Sequence, residues 1–388
     1  MSILEIKKGI YNVGVEDWNL RNFHGYSTSR GTSYNAYLII DEKITLIDTV
    51  KKDFSEELLK NISKIVELEK IDYIISNHVE MDHSGAIPCL AEKAKNAIIV
   101  TSDPNGIKGL EAHYGKKLNY MVVKSGEELT IGKRKLVFVA TPMVHWPDNM
   151  VTYCPEEKIL FSNDAFGQHY ASNLKMDYEN NLEVIYEEAK KYYTNIVMPY
   201  GMQTRKALEI VKSLDIDIIA PSHGVIWKEN VKGILEKYEY FSNDIPEKEA
   251  VIVYDSMWNS TKKMAFSILD AFTKKRIKTY IFDLKVNDIS DIMVKVLKAK
   301  YIIVGSPTLN NNMLPTVAAF LTYMRGLAPK NKKALAFGSF GWGGQSIGQV
   351  NEELKKCNME IMADPIKIQY IPTKEQLEEI EKTIQSLI

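Results

Sequence analysis

Seven side chains able to chelate a metal are strung along the first 223 residues, in the order His78-x-Glu80-x-Asp82-His83, then His145, Asp164 and His223. Packing has no use for four imidazoles and three carboxylates in this arrangement, whereas two metal ions held in one cleft need about that many ligands. A lone histidine on an apolar face is ordinarily structural. A run of four such residues, followed by three partners that each sit beside a loop signal, points instead to a metal pair. The run follows Ile71-Asp72-Tyr73-Ile74-Ile75-Ser76, an apolar stretch that reads as a buried strand. The ligands therefore leave its carboxyl end, where open α/β sheets place their sites. Alternation along an extended segment puts His78 and Glu80 on one side, while Asp82 and His83 turn toward a second metal.

The spacing resembles that of the metallo-β-lactamase superfamily, whose hydrolases carry H-x-H-x-D-H followed by isolated His, Asp and His. Glu80 stands where those hydrolases have a second histidine. A carboxylate in place of an imidazole makes the site harder and more anionic, which suits ferric iron better than zinc. With that departure the resemblance narrows to the flavodiiron proteins, cytoplasmic reductases that join a diiron domain to a flavodoxin-like module. It implies two iron ions per chain, one held by His78, Glu80 and His145 and the other by Asp82, His83 and His223, with Asp164 as the bridge. The alternative is a zinc-dependent hydrolase of the metallo-β-lactamase fold fused to a flavodoxin-like module. That reading accounts for the ligands but leaves Glu80 and the flavin-type loops unexplained, and a plain flavodoxin-like electron carrier accounts only for residues 250–388.

The elements that must position the ligands follow from apolar alternation. Tyr37 to Ile40, Ile44 to Ile47, Ala97 to Thr101, Lys135 to Ala140, Met150 to Tyr153 and Ile159 to Phe161 read as strands of two antiparallel-rich sheets. Helices at Ser55 to Glu67, Asn181 to Tyr193 and Thr204 to Ser213 would cover them. Together they predict an αββα sandwich, metallo-β-lactamase-like, over residues 1–246, with the metal ligands on loops at one edge.

Past Pro246 the pattern changes. Strands at Ala250 to Asp255, Lys278 to Asp283, Tyr301 to Gly305, Lys333 to Phe337 and, loosely, within Ile361 to Ile371 alternate with helices at Thr261 to Lys274, Ser290 to Leu297, Leu314 to Met324, Gln345 to Cys357 and Lys374 to Leu387. Five βα units predict a flavodoxin-like, doubly wound, five-stranded parallel sheet over residues 250–388, with its ligand beyond the strands' carboxyl ends. Three loops at those ends suit a flavin mononucleotide (FMN). Ser256, Met257, Trp258, Asn259, Ser260 and Thr261 form a hydroxyl-rich turn from strand into helix, which resembles the flavodoxin phosphate loop. Ser306, Pro307, Thr308, Leu309 and Asn310 form the second loop. Ser339, Phe340, Gly341, Trp342, Gly343 and Gly344 form the third, with aromatics to flank a ring and glycines to admit close backbone approach. Singly, such a turn is an ordinary helix cap; three on the strand ends of one unit are not.

Other polar residues carry less. His24 and Tyr200, with Tyr26, resemble positions in flavodiiron proteins that donate protons or hydrogen bonds to a bound oxygen species. Plain aromatic packing beneath a loop is the competing reading. His113 and His169 carry no assigned role and are expected to be structural or exposed.

The chain of 388 residues has room for two cores, and its formal net charge of −1 hides a split. Residues 1–249 hold 30 basic and 37 acidic side chains, and residues 250–388 hold 19 and 13, so the halves carry opposite charge. No basic run is long enough to suggest nucleic acid. No apolar run is long enough to span a membrane and the first residues lack a signal-peptide pattern, so a cytoplasmic protein is expected. Cys89, Cys154 and Cys357 are too few for an iron–sulfur cluster or a fused rubredoxin, so electrons must come from another molecule. The resemblance implies reduction of dioxygen to water, or of nitric oxide. It implies rubredoxin or a reduced deazaflavin coenzyme as donor, and a head-to-tail homodimer, or a tetramer built as a dimer of dimers, as the working unit.

Overall fold

In the computed structural model, which describes residues 3–388, the chain divides into two compact units. The first holds the described residues through His24 together with Thr28–Tyr193 and Tyr200–Ser242; the second holds Gly25–Ser27, Thr194–Pro199 and Asn243–Ile388.

Two large sheets build the core of the first unit. In one, the strands run in the order Leu4–Lys7, Ile10–Asn12, Tyr37–Ile39, Ile44–Ile47, Ile71–Ser76, Ile98–Ser102 and Tyr120–Val123. In the other, the order is Glu128–Thr130, Lys135–Ala140, Met150–Cys154, Ile159–Asn163 and Ile218–Pro221. Period-two alternation explains why both faces of the first sheet are covered. Ile47, Ile75 and Val100 point inward to meet Phe138, Ile159 and Ile218 of the second sheet. Their chain neighbours Leu46, Ile74 and Ile99 point outward against Leu58, Ile62, Leu90 and Leu110 of the covering helices. Full burial of each such side chain contributes about 1.5–3 kcal/mol.

The second sheet is antiparallel except for its last pair, Ile159–Asn163 with Ile218–Pro221. The first sheet departs from the antiparallel-rich expectation, because Ile44–Ile47, Ile71–Ser76, Ile98–Ser102 and Tyr120–Val123 pair in parallel. Helical crossovers Ser55–Ser63 and Ile87–Lys93 force that direction. As a result several strands end at one edge, and the residues that follow them can converge. The helix expected to Glu67 stops at Ser63, and helices Asn105–Tyr114 and Val231–Ser242 were not anticipated.

The second unit has one parallel sheet in the order Lys278–Asp283, Glu247–Tyr254, Ala299–Gly305, Lys333–Phe340. Its fifth position differs from expectation: two short pieces, Glu360–Ile361 and Ile366–Gln369, both pair with Lys333–Phe340. Met362-Ala363-Asp364-Pro365 separates them, and proline supplies no N–H to a continuous ladder. One face is covered by Ser260–Lys274 and Lys374–Leu387 through Met264, Ile268, Phe272, Ile380 and Ile384. Strand order reverses between Glu247–Tyr254 and Ala299–Gly305, which opens a crevice beyond Tyr254 and Gly305. No helix among the described residues is long and apolar enough to cross a membrane.

Candidate metal centre

The parallel strands deliver the chelating residues to one edge. Asn77 leaves the strand Ile71–Ser76 with its backbone N–H on Asp48 Oδ1 at 2.8 Å and its side-chain amide on Asp48 Oδ2 at 3.0 Å, and His78 follows. The short helix Met81–Ser84 then carries Asp82 and His83, with the His83 carbonyl accepting from Thr49. His145 comes from the loop between Lys135–Ala140 and Met150–Cys154. Asp164 and His223 follow the paired strands Ile159–Asn163 and Ile218–Pro221. Gly224, at φ +77°, turns the chain directly after His223, and a Cβ there would lie 2.0 Å from Gln168 Oε1.

Two groups of ligand atoms result, His78, Glu80, His145 and Asp164 in one and Asp82, His83 and His223 in the other, each group spanning no more than 4.8 Å. Asp164 faces both. Its Oδ2 lies 3.7 Å from His78 Nε2 and 3.3 Å from His145 Nε2. Its Oδ1 lies 3.0 Å from His83 Nε2 and 3.4 Å from His223 Nε2. Glu80 Oε2 is 3.4 Å from both His78 Nε2 and His145 Nε2, and Asp82 reaches His83 and His223 at 3.3 and 3.2 Å.

Most of this cluster is sealed from solvent, Glu80 and His145 being the two ligands with partial access. At its heart His78 Nε2, His83 Nε2, Asp82 Oδ1 and Asp164 Oδ2 are buried without a hydrogen-bond partner. Orphaned polar atoms of this kind cost roughly 1–3 kcal/mol each, more when charged. Four converging on two centres fit a pair of cations, and the donor set of four nitrogens and three carboxylates suits iron.

Charge coupling says the same. Burial opposes charge on His145 and His223, but contact with Asp164 outweighs it and raises their pKa values to about 9 and about 10. Burial likewise opposes charge on Glu80 and Asp164, yet the surrounding imidazoles hold both carboxyls well below their usual range. The pocket thus stores positive charge against carboxylates, and a metal would take the place of the protons. Tyr192 donates its hydroxyl to Asp164 Oδ1 at 2.7 Å; burial and the Asp164 charge push that phenol far above its usual pKa, so it stays a donor. His169 is buried and held neutral by burial and by His223, with Nδ1 2.8 Å from Thr32 Oγ1.

In the second unit, a cavity of about 680 Å³ opens beyond the strand ends, lined by residues of three loops, 257–260, 307–311 and 339–343, and by Tyr370 and Ile371. Asn259, at φ 65°, begins the helix Ser260–Lys274 with no side-chain cap, which leaves the first backbone N–H groups for a ligand anion. The rim is apolar and open, with Trp258 88 % and Trp342 91 % exposed.

Comparison with known proteins matches residues 32–224 to the ODP family beta lactamase and residues 252–383 to flavodoxin. A nitric oxide reductase of Moorella thermoacetica is 43 % identical over 96 % of this chain and 95 % of its own length. Among solved structures, rubredoxin oxygen:oxidoreductase from the anaerobe Desulfovibrio gigas is 40 % identical with a TM-score of 0.96, covering 100 % of this chain and 98 % of that one. The flavodiiron protein from Giardia intestinalis is 37 % identical, again at a TM-score of 0.96, covering 100 % and 96 %. The chain belongs to the flavodiiron proteins.

In this flavodiiron chain all seven chelating residues singled out by spacing lie together. His24, exposed at a hairpin tip with φ 52°, has Nε2 3.6 Å from Glu80 Oε1. Tyr200 does not join them. It precedes the helix Gly201–Lys212, its carbonyl accepts from Thr204, and its hydroxyl bonds none of the seven. The phenol bonded to Asp164 is Tyr192, whose place in an amphipathic helix hid it among core aromatics. His169, expected to be structural or exposed, is buried beside His223, whereas His113 is exposed.

Of the loop residues, Ser256, Asn259, Thr261, Ser306 and Gly344 do not line the cavity. Thr261 Oγ1 pairs with Ser339 Oγ at 2.9 Å, and Ser306 Oγ accepts from Leu314 N–H, so both hold the loops together. Tyr370 and Ile371 went unread because their strand was legible only loosely.

Proposed function

We propose that this protein reduces dioxygen to water, or nitric oxide to nitrous oxide, at a pair of irons fed by FMN. The carrying observation is Asp164, whose two oxygens face two separate sets of buried chelating groups. In this reading residues 1–246 form the metal domain, and residues 250–388 form the flavin domain. His78, Glu80 and His145 would hold one iron, Asp82, His83 and His223 the other, and Asp164 would face both. The start of the helix Ser260–Lys274 would hold the FMN phosphate, and the walls that include Trp258 and Trp342 would receive its ring. The relatives, a nitric oxide reductase and a rubredoxin oxygen:oxidoreductase, suggest the two substrates and rubredoxin as a donor; a reduced deazaflavin coenzyme is the other donor of the reading.

When bound, two ferrous irons and a reduced flavin supply the four electrons that take one dioxygen to two waters, or the two that join two nitric oxide molecules. The protein's own part is to hold and to screen. Glu80 and His145 border the accessible side, where His24 is placed to hold or pass a proton beside Glu80 Oε1. Tyr192 fixes the bridging carboxylate from the buried side. Burial of His78, His83, Asp164 and His223 excludes bulk water from the remaining faces.

The exposed apolar rim of the flavin cavity, with Met257, Trp258, Trp342, Tyr370 and Ile371, supports a head-to-tail homodimer, alone or as a dimer of dimers, that covers it. The same reading makes the protein cytoplasmic. Elemental and flavin analysis of the protein purified without oxygen tests it: about two irons and one FMN per chain are expected. Two zincs, with no oxygen consumption after iron reconstitution, would favour a hydrolase instead.

A further inference from the structure

One carboxylate beside the metal centre faces no metal position. Asp148 Oδ2 lies 2.8 Å from His78 Nδ1 and also accepts the Val79 backbone N–H at 2.8 Å. Both Asp148 and His78 are buried, and the Asp148 carbonyl accepts from Ser102 Oγ at 2.6 Å, which ties this loop to the strand Ile98–Ser102. Trp146, two residues earlier, packs edge-on to the His78 ring with centroids 5.1 Å apart and planes at 88°. The loop that delivers His145 therefore also fixes a second nitrogen ligand of the same group.

Two of the other imidazoles are held differently. His223 Nδ1 meets the Ser33 backbone carbonyl at 2.7 Å, and His83 Nδ1 is buried with no hydrogen-bond partner. Of these three rings, only His78 has its Nδ1 hydrogen-bonded to a carboxylate. A ring that donates Nδ1–H to a carboxylate has its proton fixed there, so Nε2 presents its lone pair, and the negative charge strengthens that donor. The Val79 N–H holds the same Oδ2, so the carboxylate has one orientation.

We infer that Asp148 is a positioning residue, which fixes the Nδ1–H tautomer of His78 and strengthens its Nε2 as a metal ligand, so that the His78–Glu80–His145 position binds its ion more firmly than the other. This inference rests on the two-metal reading proposed above. Its test is anaerobic titration of the metal-free, full-length protein with cobalt(II), wild type against Asp148→Asn, followed by visible absorption and chelator competition. Asparagine keeps the shape and an acceptor but removes the charge. The tighter binding step is expected to weaken about 10- to 100-fold, with the spectrum of that cobalt altered, the weaker step unchanged and flavin retained.

Identical titrations and spectra for the two proteins would overturn the inference while leaving the two-metal reading intact. Failure of wild type to take up two cobalts would overturn the two-metal reading itself. Should the variant not fold, nitrogen-15 NMR of the diamagnetic zinc-loaded wild type decides. A protonated Nδ1 on His78, identified through its proximity to the Val79 N–H, supports the inference, and a proton on Nε2 or metal on Nδ1 refutes it.

Discussion

Replacing Asp164 by asparagine changes one charge and almost no volume. Nε2 atoms of His78, His83, His145 and His223 lie 3.7, 3.0, 3.3 and 3.4 Å from the Asp164 oxygens, so any cation held by those rings also faces this carboxylate. Unit charges about 4 Å apart interact by about 4 kcal/mol at an effective dielectric constant near 20, which is roughly a thousandfold in affinity. The amide also offers an oxygen to one ligand set only and turns an NH2 toward the other. Asp164→Asn is therefore expected to bind at most one iron per chain, with flavin unchanged and oxygen consumption lost. Iron and flavin analysis after anaerobic reconstitution, followed by chelator challenge, measures this. Two irons per chain, with wild-type resistance to the chelator and full oxygen consumption, would refute the bridging assignment.

Tyr192→Phe keeps the ring packing but removes a 2.7 Å hydrogen bond to a buried carboxylate, worth about 1.5–3 kcal/mol; a denaturant melt of the metal-free protein should shift by that order, and an unmoved midpoint counts against the bond. His24→Ala should keep both iron and flavin, since the ring is 75 % exposed and touches only Glu80 of the ligands; turnover should fall or the preference between dioxygen and nitric oxide should change, and unchanged rates with both gases would reduce His24 to a surface residue. Ser260→Ala removes a cavity-lining hydroxyl at the helix start, and flavin affinity should drop at least about tenfold if that hydroxyl meets the phosphate; equal affinity by fluorescence titration would move the phosphate elsewhere.

What could be read from the sequence followed how far apart the cooperating residues lie. The cluster His78 to His83 is legible because its residues are close neighbours in the chain just past one strand, and Glu80 sets it apart from the H-x-H-x-D-H pattern of zinc hydrolases by donor chemistry. The hydroxyl-rich turn after Tyr254 is legible as a strand-to-helix loop for the same reason. Asp148 stays hidden because its partner His78 lies 70 residues away and joins it only through the packing of two sheets. Tyr192 looks like any core aromatic until the helix Leu182–Tyr192 is set beside Asp164. Tyr200, in its Pro-Tyr-Gly setting, stands at a helix start, where its carbonyl accepts from Thr204. In the second unit the broken fifth strand blurred periodicity over 361–371, and with it the cavity wall at Tyr370 and Ile371.

Reoxidation of the fully reduced protein by measured portions of dioxygen tests most directly whether the metal pair and the flavin act as one four-electron store. Two ferrous ions and one reduced FMN per chain predict that one dioxygen per chain reoxidises both, with no hydrogen peroxide released. Peroxide accumulating in proportion to the oxygen consumed, or a flavin that reoxidises while the iron stays ferrous, would contradict it.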